Sequence, residues 1–243
     1  MTEITFPTPK KPEDFYKPLT ETKLPQKQEE RRLVTGERPQ RARVFKSDFL
    51  EFFTYVRWYH VFMFWVPVIA YLFYRNTQFF TLTTKEYVSI LFIGLFSWTL
   101  AEYLIHKHIF HIKSKYTSIR RMIYIIHGNH HVDPNDPLRG VMPITMGIFY
   151  AIILYFLFSL IVPIQYLDAF FASFLIGYLH YDGIHYYTHH VKPKFKLGKY
   201  LKRMHLIHHV HEDVMFGISS PLWDYILGTT YKRKTTYKVP DAF

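Results

Sequence analysis

The stretch His127-Gly128-Asn129-His130-His131 has a near twin downstream, His205-Leu206-Ile207-His208-His209. Both read His-x-x-His-His. Positions i, i+3 and i+4 of a helix share one face, so each stretch predicts three imidazoles pointing the same way. Two more pairs flank them, His106 with His111 and His185 with His189. Together the four clusters take ten of the fifteen histidines in the chain. That concentration predicts a membrane-embedded enzyme with a two-metal, histidine-rich centre.

Outward from these clusters the chain is dominated by apolar runs. Trp58 to Tyr74, Val88 to Ile105, Gly140 to Val162 and Tyr166 to Leu179 are four candidate spans, paired as two helical hairpins. The first covers roughly 26 Å at 1.5 Å per residue, a little short of the hydrocarbon core. Glu102 interrupts the second near its end, and the fourth carries Asp168. Ahead of the first span, Ser47 is placed to cap a short helix over Asp48-Phe49-Leu50-Glu51-Phe52-Phe53. Residues 1–46 form a polar arm interrupted by Pro7, Pro9, Pro12, Pro18, Pro25 and Pro39, without the apolar core of a cleaved signal. The division expected is therefore an arm over 1–46 and one membrane domain over 47–243.

Composition agrees. Of the 243 residues 19% are aromatic, a share that suits a long lipid–water boundary, and the net charge is +11. With the apolar runs in view, the positive charge fits an anionic membrane surface and not nucleic acid. There is no cysteine, which excludes disulfides, cysteine-held zinc, iron–sulfur clusters and thiolate haem. Any metal must rest on histidine and carboxylate. Lys107, Lys113, Lys115, Arg120, Arg121 and Arg139 crowd the 106–140 segment, and Lys192, Lys194, Lys196, Lys199, Lys202 and Arg203 crowd 192–203. The positive-inside rule places both segments, both termini and every histidine cluster on the cytosolic side.

About ten imidazoles exceed what one ion of four to six sites can use and suit two ions. Imidazole binds Fe, Zn, Cu and Ni, so ligand type does not name the metal. His106 and His111, at i and i+5, lie roughly 140° apart on a regular helix; either they reach different parts of the site or the helix is distorted there. His60, His108 and His180 are out of phase and read as structural, while His190 and His211 adjoin ligand clusters. A ligating imidazole commonly gives its other N–H to a carboxylate or carbonyl. The candidates are Asp182, Glu102 and Asp224, with Asp182 the first choice and a helix cap or ion pair the alternative for Asp224.

These residues resemble the fatty acid hydroxylase superfamily, and within it the fatty acid 2-hydroxylase group. The resemblance rests on Glu102-Tyr103-Leu104-Ile105-His106 through His111, His127-Gly128-x-His130-His131, Tyr181-Asp182 with His185-Tyr186-Tyr187-x-His189, and His205-x-x-His208-His209. Phe216-Gly217-Ile218-Ser219 and Leu222-Trp223-Asp224-Tyr225 belong to it too. It implies an all-α integral membrane fold with about four transmembrane helices and a cytosolic helical cap holding a dimetal centre. It also implies His106, His111, His127, His130, His131, His185, His189, His205, His208 and His209 as ligands, and O2-dependent hydroxylation at C2 of a long or very-long acyl chain of a fatty acid or ceramide.

Iron is the expected metal, since zinc has no redox chemistry with which to activate O2; zinc is the alternative occupant. Tyr181 and Tyr187 are expected to line the site and, with Asp182, are the candidate catalytic residues. Many members of the group carry an N-terminal cytochrome b5 domain. Residues 1–59 here contain no histidine, so electrons are expected from a separate cytochrome b5-like donor attracted to the basic face. The endoplasmic reticulum membrane is the location implied. The rival readings are a sterol oxidase, desaturase or sphingoid-base hydroxylase on the same scaffold, and a metal transporter or sensor.

Overall fold

The computed structural model describes residues 45–232. Most of the N-terminal arm expected over 1–46 therefore lies outside the described residues, as does the C-terminal end. Among the described residues every element is helical, with no strand.

Ser47 caps α1 (Asp48–Phe52), its hydroxyl accepting the Leu50 N–H. Next comes α2 (Trp58–Phe79), which extends beyond the expected span to roughly 33 Å. Thr83 and Glu86 form a reciprocal capping box that starts α3 (Thr84–Ile105), and α3 runs straight into a π-helical turn, His106–Phe110. A short α4 (Thr117–Ile123), a second π turn (Tyr124–Gly128) and α5 (Asn129–Val132) carry the first His-x-x-His-His. Pro143 precedes α6 (Ile144–Ser159) and Pro163 precedes α7 (Ile164–His190), each with its ring just outside the first turn, where it costs no helical bond. Then α8 (Lys196–Val210) carries the second motif, and α9 (Leu222–Ile226) follows it.

The core is built on α7, whose residues from Leu167 to Asp182 are almost continuously buried against α2 and α3. Val61, Trp65, Ile69 and Leu72 of α2 meet Trp98 of α3 and Phe171, Phe174, Leu175 and Tyr178 of α7. The helices α3 and α7 approach closely at two small residues. A Cβ on Gly94 would sit 2.5 Å from Ser173 Cβ, and one on Gly177 would sit 2.5 Å from Trp98 Cβ.

At the end of the bundle away from the histidines, Asp168 is neutralised by Arg75, whose Nε donates to it at 2.6 Å, and by the Tyr155 hydroxyl at 2.7 Å. This pairing is why an acid is tolerated in an apolar helix. Large apolar side chains point outward along the bundle: Met63 and Val66, Phe92 and Phe96, Ile152 and Phe156 are all exposed. One helix, Thr84–Phe110, is long and apolar enough by length and composition to cross a membrane; Ile144–Ser159 is apolar but shorter.

Candidate metal centre

Ten histidines converge at one end of the bundle, in two groups of five. His106, His111, His127, His131 and His208 form the first; His130, His185, His189, His205 and His209 form the second. Within each group the candidate ligand atoms lie within 4.8 Å of one another. Each His-x-x-His-His is shared between the groups. The i and i+4 members go together, His127 with His131 and His205 with His209, while the i+3 member, His130 or His208, joins the other group. Helical geometry accounts for this: i and i+4 differ by about 40° and i+3 by about 60° the other way. The two motifs thus interlock, each contributing one imidazole to its twin's site.

The i, i+5 spacing of His106 and His111 is resolved by the π turn between them. The His111 N–H bonds the His106 carbonyl at 3.1 Å, and the two rings meet, Nε2 to Nε2, at 3.2 Å. The extra residue per turn brings i+5 over i, so the helix is indeed distorted where the spacing is irregular.

In the first group the Nε2 atoms of His106 and His127 are 3.1 Å apart, those of His131 and His127 2.9 Å, and those of His208 and His111 3.0 Å. In the second, His185 and His130 are 2.8 Å apart, His130 and His189 3.1 Å, and His209 and His205 3.0 Å. Metal–imidazole bonds of about 2.0–2.1 Å at right angles require N···N separations of about 3 Å, so both donor sets fit an ion.

Protonation fits as well. The His106 Nδ1 donates to the Phe216 carbonyl at 2.6 Å and the His208 Nδ1 to the Val214 carbonyl at 2.8 Å. A carbonyl only accepts, so these Nδ1 atoms carry the proton and the inward Nε2 atoms of the neutral rings present lone pairs. Burial drives His127, His130, His131, His185 and His205 well below the usual imidazole range, reinforced by neighbouring imidazoles. Burial likewise lowers His111 and His209 to about 3 and His189 and His208 to about 4. Neutral rings whose lone pairs converge in two groups suit a cation in each.

The carboxylates act at one remove. Asp182 is buried but accepts from the Met142 N–H at 3.3 Å and the Tyr178 hydroxyl at 3.1 Å, fastening the 133–143 loop to α7. Glu102 accepts the Ser219 N–H at 2.8 Å together with the Ile218 N–H and the Ser219 hydroxyl. Asp224 accepts the Phe216 and Gly217 N–H groups at 2.9 and 2.8 Å. These two acids shape the loop whose carbonyls hold His106 and His208. The loop needs the help: Met215 has φ 58°, a costly conformation for a side chain of its size, and a Cβ on Gly217 would fall 2.1 Å from the Ser220 carbonyl oxygen. The carbonyls of Val214 and Phe216 are site groups that residue type cannot reveal; only the glycine in Phe-Gly-Ile-Ser hints at the tight loop.

Tyr181 is buried and stacks on His185, with ring centres 5.9 Å apart and planes 19° from parallel. Tyr187 lies elsewhere, its phenol over Gly198 at the start of α8. His60, His108, His180 and His211 are exposed and His190 is half-buried; all five stand outside both groups.

A narrow apolar cavity opens beside the histidines and runs between α2, α3, α6 and α7. Glu102, Phe110 and Tyr181 line its histidine end, and Gly147, Leu154 and Phe171 its far part. Phe110 stacks on His127 at 5.1 Å, so through Phe110 and Tyr181 the cavity abuts both groups. From Tyr181 to Phe171 is ten residues of helix, roughly 15 Å.

Fold and site define a helical protein with two histidine quintets, each able to hold a metal ion, beside an apolar cavity. The fatty acid hydroxylase family model matches residues 91–229. The chain is 37% identical to the dihydroceramide fatty acyl 2-hydroxylase FAH1 of Arabidopsis thaliana, over 85% of this chain and 86% of that protein. It is 36% identical to the human fatty acid 2-hydroxylase, over 81% of this chain and 58% of that longer one. Its fold matches the hydroxylase domain of full-length scs7p with a TM-score of 0.71 and 31% identity, over 76% of this chain and 70% of that one. The chain belongs to the fatty acid hydroxylase family.

Proposed function

We propose that this protein is a fatty acyl 2-hydroxylase of sphingolipid metabolism, placing a hydroxyl on C2 of a long or very-long acyl chain of a fatty acid or ceramide. The observation that carries the reading is the cavity: apolar along its length and ending against both histidine groups. Relatives named as dihydroceramide fatty acyl and fatty acid 2-hydroxylases supply the position of attack.

In this reading the ten histidines hold two metal ions, iron by preference, which when bound supply the activation of O2. The protein's own residues do the rest. The cavity between α6 and α7 takes the acyl tail by burying its methylenes, each worth about 0.8 kcal/mol. Phe110 and Tyr181 wall the histidine end, exclude water and hold the first carbons of the chain against the site. Asp182 keeps Met142 and Tyr178 in place around that end. The Val214 and Phe216 carbonyls fix the Nδ1 protons of His208 and His106, so that both rings keep their lone pairs inward.

The exposed apolar side chains on α2, α3 and α6 support a multi-pass arrangement of about four spans, the shorter helices tilting little. With the basic segments cytosolic, both termini face the cytosol, in the endoplasmic reticulum membrane. Electrons come from a separate cytochrome b5-like donor. A basic groove lined by Lys192, Lys199, Lys202 and Arg203, on and beside the helix that carries His205, His208 and His209, supports that charge pairing.

The test is expression in a host lacking 2-hydroxy ceramides, with lipid analysis of wild type and His130→Ala. Wild type is expected to yield 2-hydroxy acyl chains and His130→Ala none. A change in sterols or long-chain bases without 2-hydroxy acyl chains would overturn the assignment.

A further inference from the structure

The two histidine groups differ in what stands behind their rings. In the first, His106 and His208 donate through Nδ1 to the Phe216 and Val214 carbonyls. His111 and His131 turn their Nδ1 atoms toward one carboxylate, that of Glu212, at 3.8 and 3.6 Å. Among the described residues the buried Nδ1 atoms of His131 in the first group and of His130, His205 and His209 in the second have no hydrogen-bond partner, but only His131 has a carboxylate beside it. Ten neutral imidazoles bring no negative charge to two cations, and among the described residues Glu212 is the acid whose carboxylate comes within ion-pair distance of the first group.

We propose that the two groups hold their ions with unequal strength, the first more tightly than the second, and that Glu212 is a positioning residue responsible for much of the difference. The proposal rests on the metal-centre reading above. An acceptor behind a ligating imidazole fixes its tautomer, holds the ring in place and raises its basicity, and losing one costs about 10- to 100-fold in metal affinity. The first group has such support at His106 and His208 and a carboxylate facing two more rings. The second group's three unpartnered N–H groups make its rings poorer donors. Glu212 follows α8 directly, so the helix that gives His205 and His209 to the weaker site also delivers the anion to the stronger one.

The experiment uses the full chain in detergent, loaded with zinc to two equivalents, with metal retained after excess chelator followed over time by elemental analysis. Wild type is expected to lose one equivalent at least tenfold faster than the other. His209→Ala is expected to remove the fast phase and leave the slow one. Glu212→Gln, a change at a partly exposed side chain, is expected to speed the slow phase about 10- to 100-fold with the fast phase unmoved, and Glu212→Asp to restore it in part. Loss of both equivalents in a single phase from wild type, or a slow phase unchanged in Glu212→Gln, would overturn the proposal. A folded wild type that binds fewer than two equivalents at saturating zinc would instead sink the two-metal reading, and this proposal with it.

Discussion

The Phe216 carbonyl and His106 Nδ1 are joined by a 2.6 Å hydrogen bond across 110 residues of sequence. Phe216 is held there by Asp224, which accepts its N–H at 2.9 Å, next to a residue at positive φ that would relax if released. Replacing Asp224 with Ala is therefore expected to free the loop and loosen His106. Metal affinity of the first histidine group should fall about 10- to 100-fold, read as zinc bound against free zinc, while the second group binds as before.

The histidine clusters announce the site because their spacings obey helical periodicity, and their residue type admits few other uses at that density. The sharing of each His-x-x-His-His between two groups is not legible, because it depends on how α5 and α8 face each other and not on either motif alone. Nor is the role of the acids. Asp182 reads first as a histidine partner, yet it braces Met142 and Tyr178, while backbone carbonyls hold His106 and His208. Tyr181 and Tyr187 read alike in sequence but part company in space, because their positions fall on different faces of α7. Asp168 counts against its helix until Arg75 is placed beside it, 93 residues away in sequence.

Gly177 is expected to resist substitution. Its side of α7 lies so close to α3 that a Cβ would stand 2.5 Å from Trp98 Cβ and 2.6 Å from Cγ, an approach that only a residue without a Cβ allows. Gly177→Val should destabilise by about 1–3 kcal/mol, measured as a lowered midpoint of thermal unfolding in detergent. Pairing it with Trp98→Ala should recover part of the loss.

Ala151 lines the cavity from α6, where a larger side chain would occupy space assigned to the acyl tail. Ala151→Phe is expected to lower turnover of the longest chains on the order of tenfold, with shorter chains affected less. The measurement is the length profile of 2-hydroxy products, taken with metal content, which should stay at the wild-type level. A uniform loss across all lengths would place the tail elsewhere.

Glu51 and Arg139 form a buried ion pair, with Arg139 Nη2 donating to Glu51 Oε1 at 2.6 Å and both side chains 5% exposed. It ties α1 to the loop that leads from the first histidine motif to Met142, and Val56 N–H reinforces it by bonding the Leu138 carbonyl at 2.9 Å. The Tyr55 hydroxyl also donates to Glu51 at 2.7 Å. Removing the cation takes the charge of Arg139 away from this buried carboxylate. Arg139→Ala should therefore cost about 3–5 kcal/mol, whereas replacing both partners by apolar residues of similar volume, Glu51→Leu with Arg139→Met, should cost much less. Unfolding midpoints of Arg139→Ala and the double variant decide this: if the double variant is as unstable as Arg139→Ala, the penalty comes from lost packing or from buried Asp136, which Arg139 Nε faces at 3.9 Å, and not from Glu51.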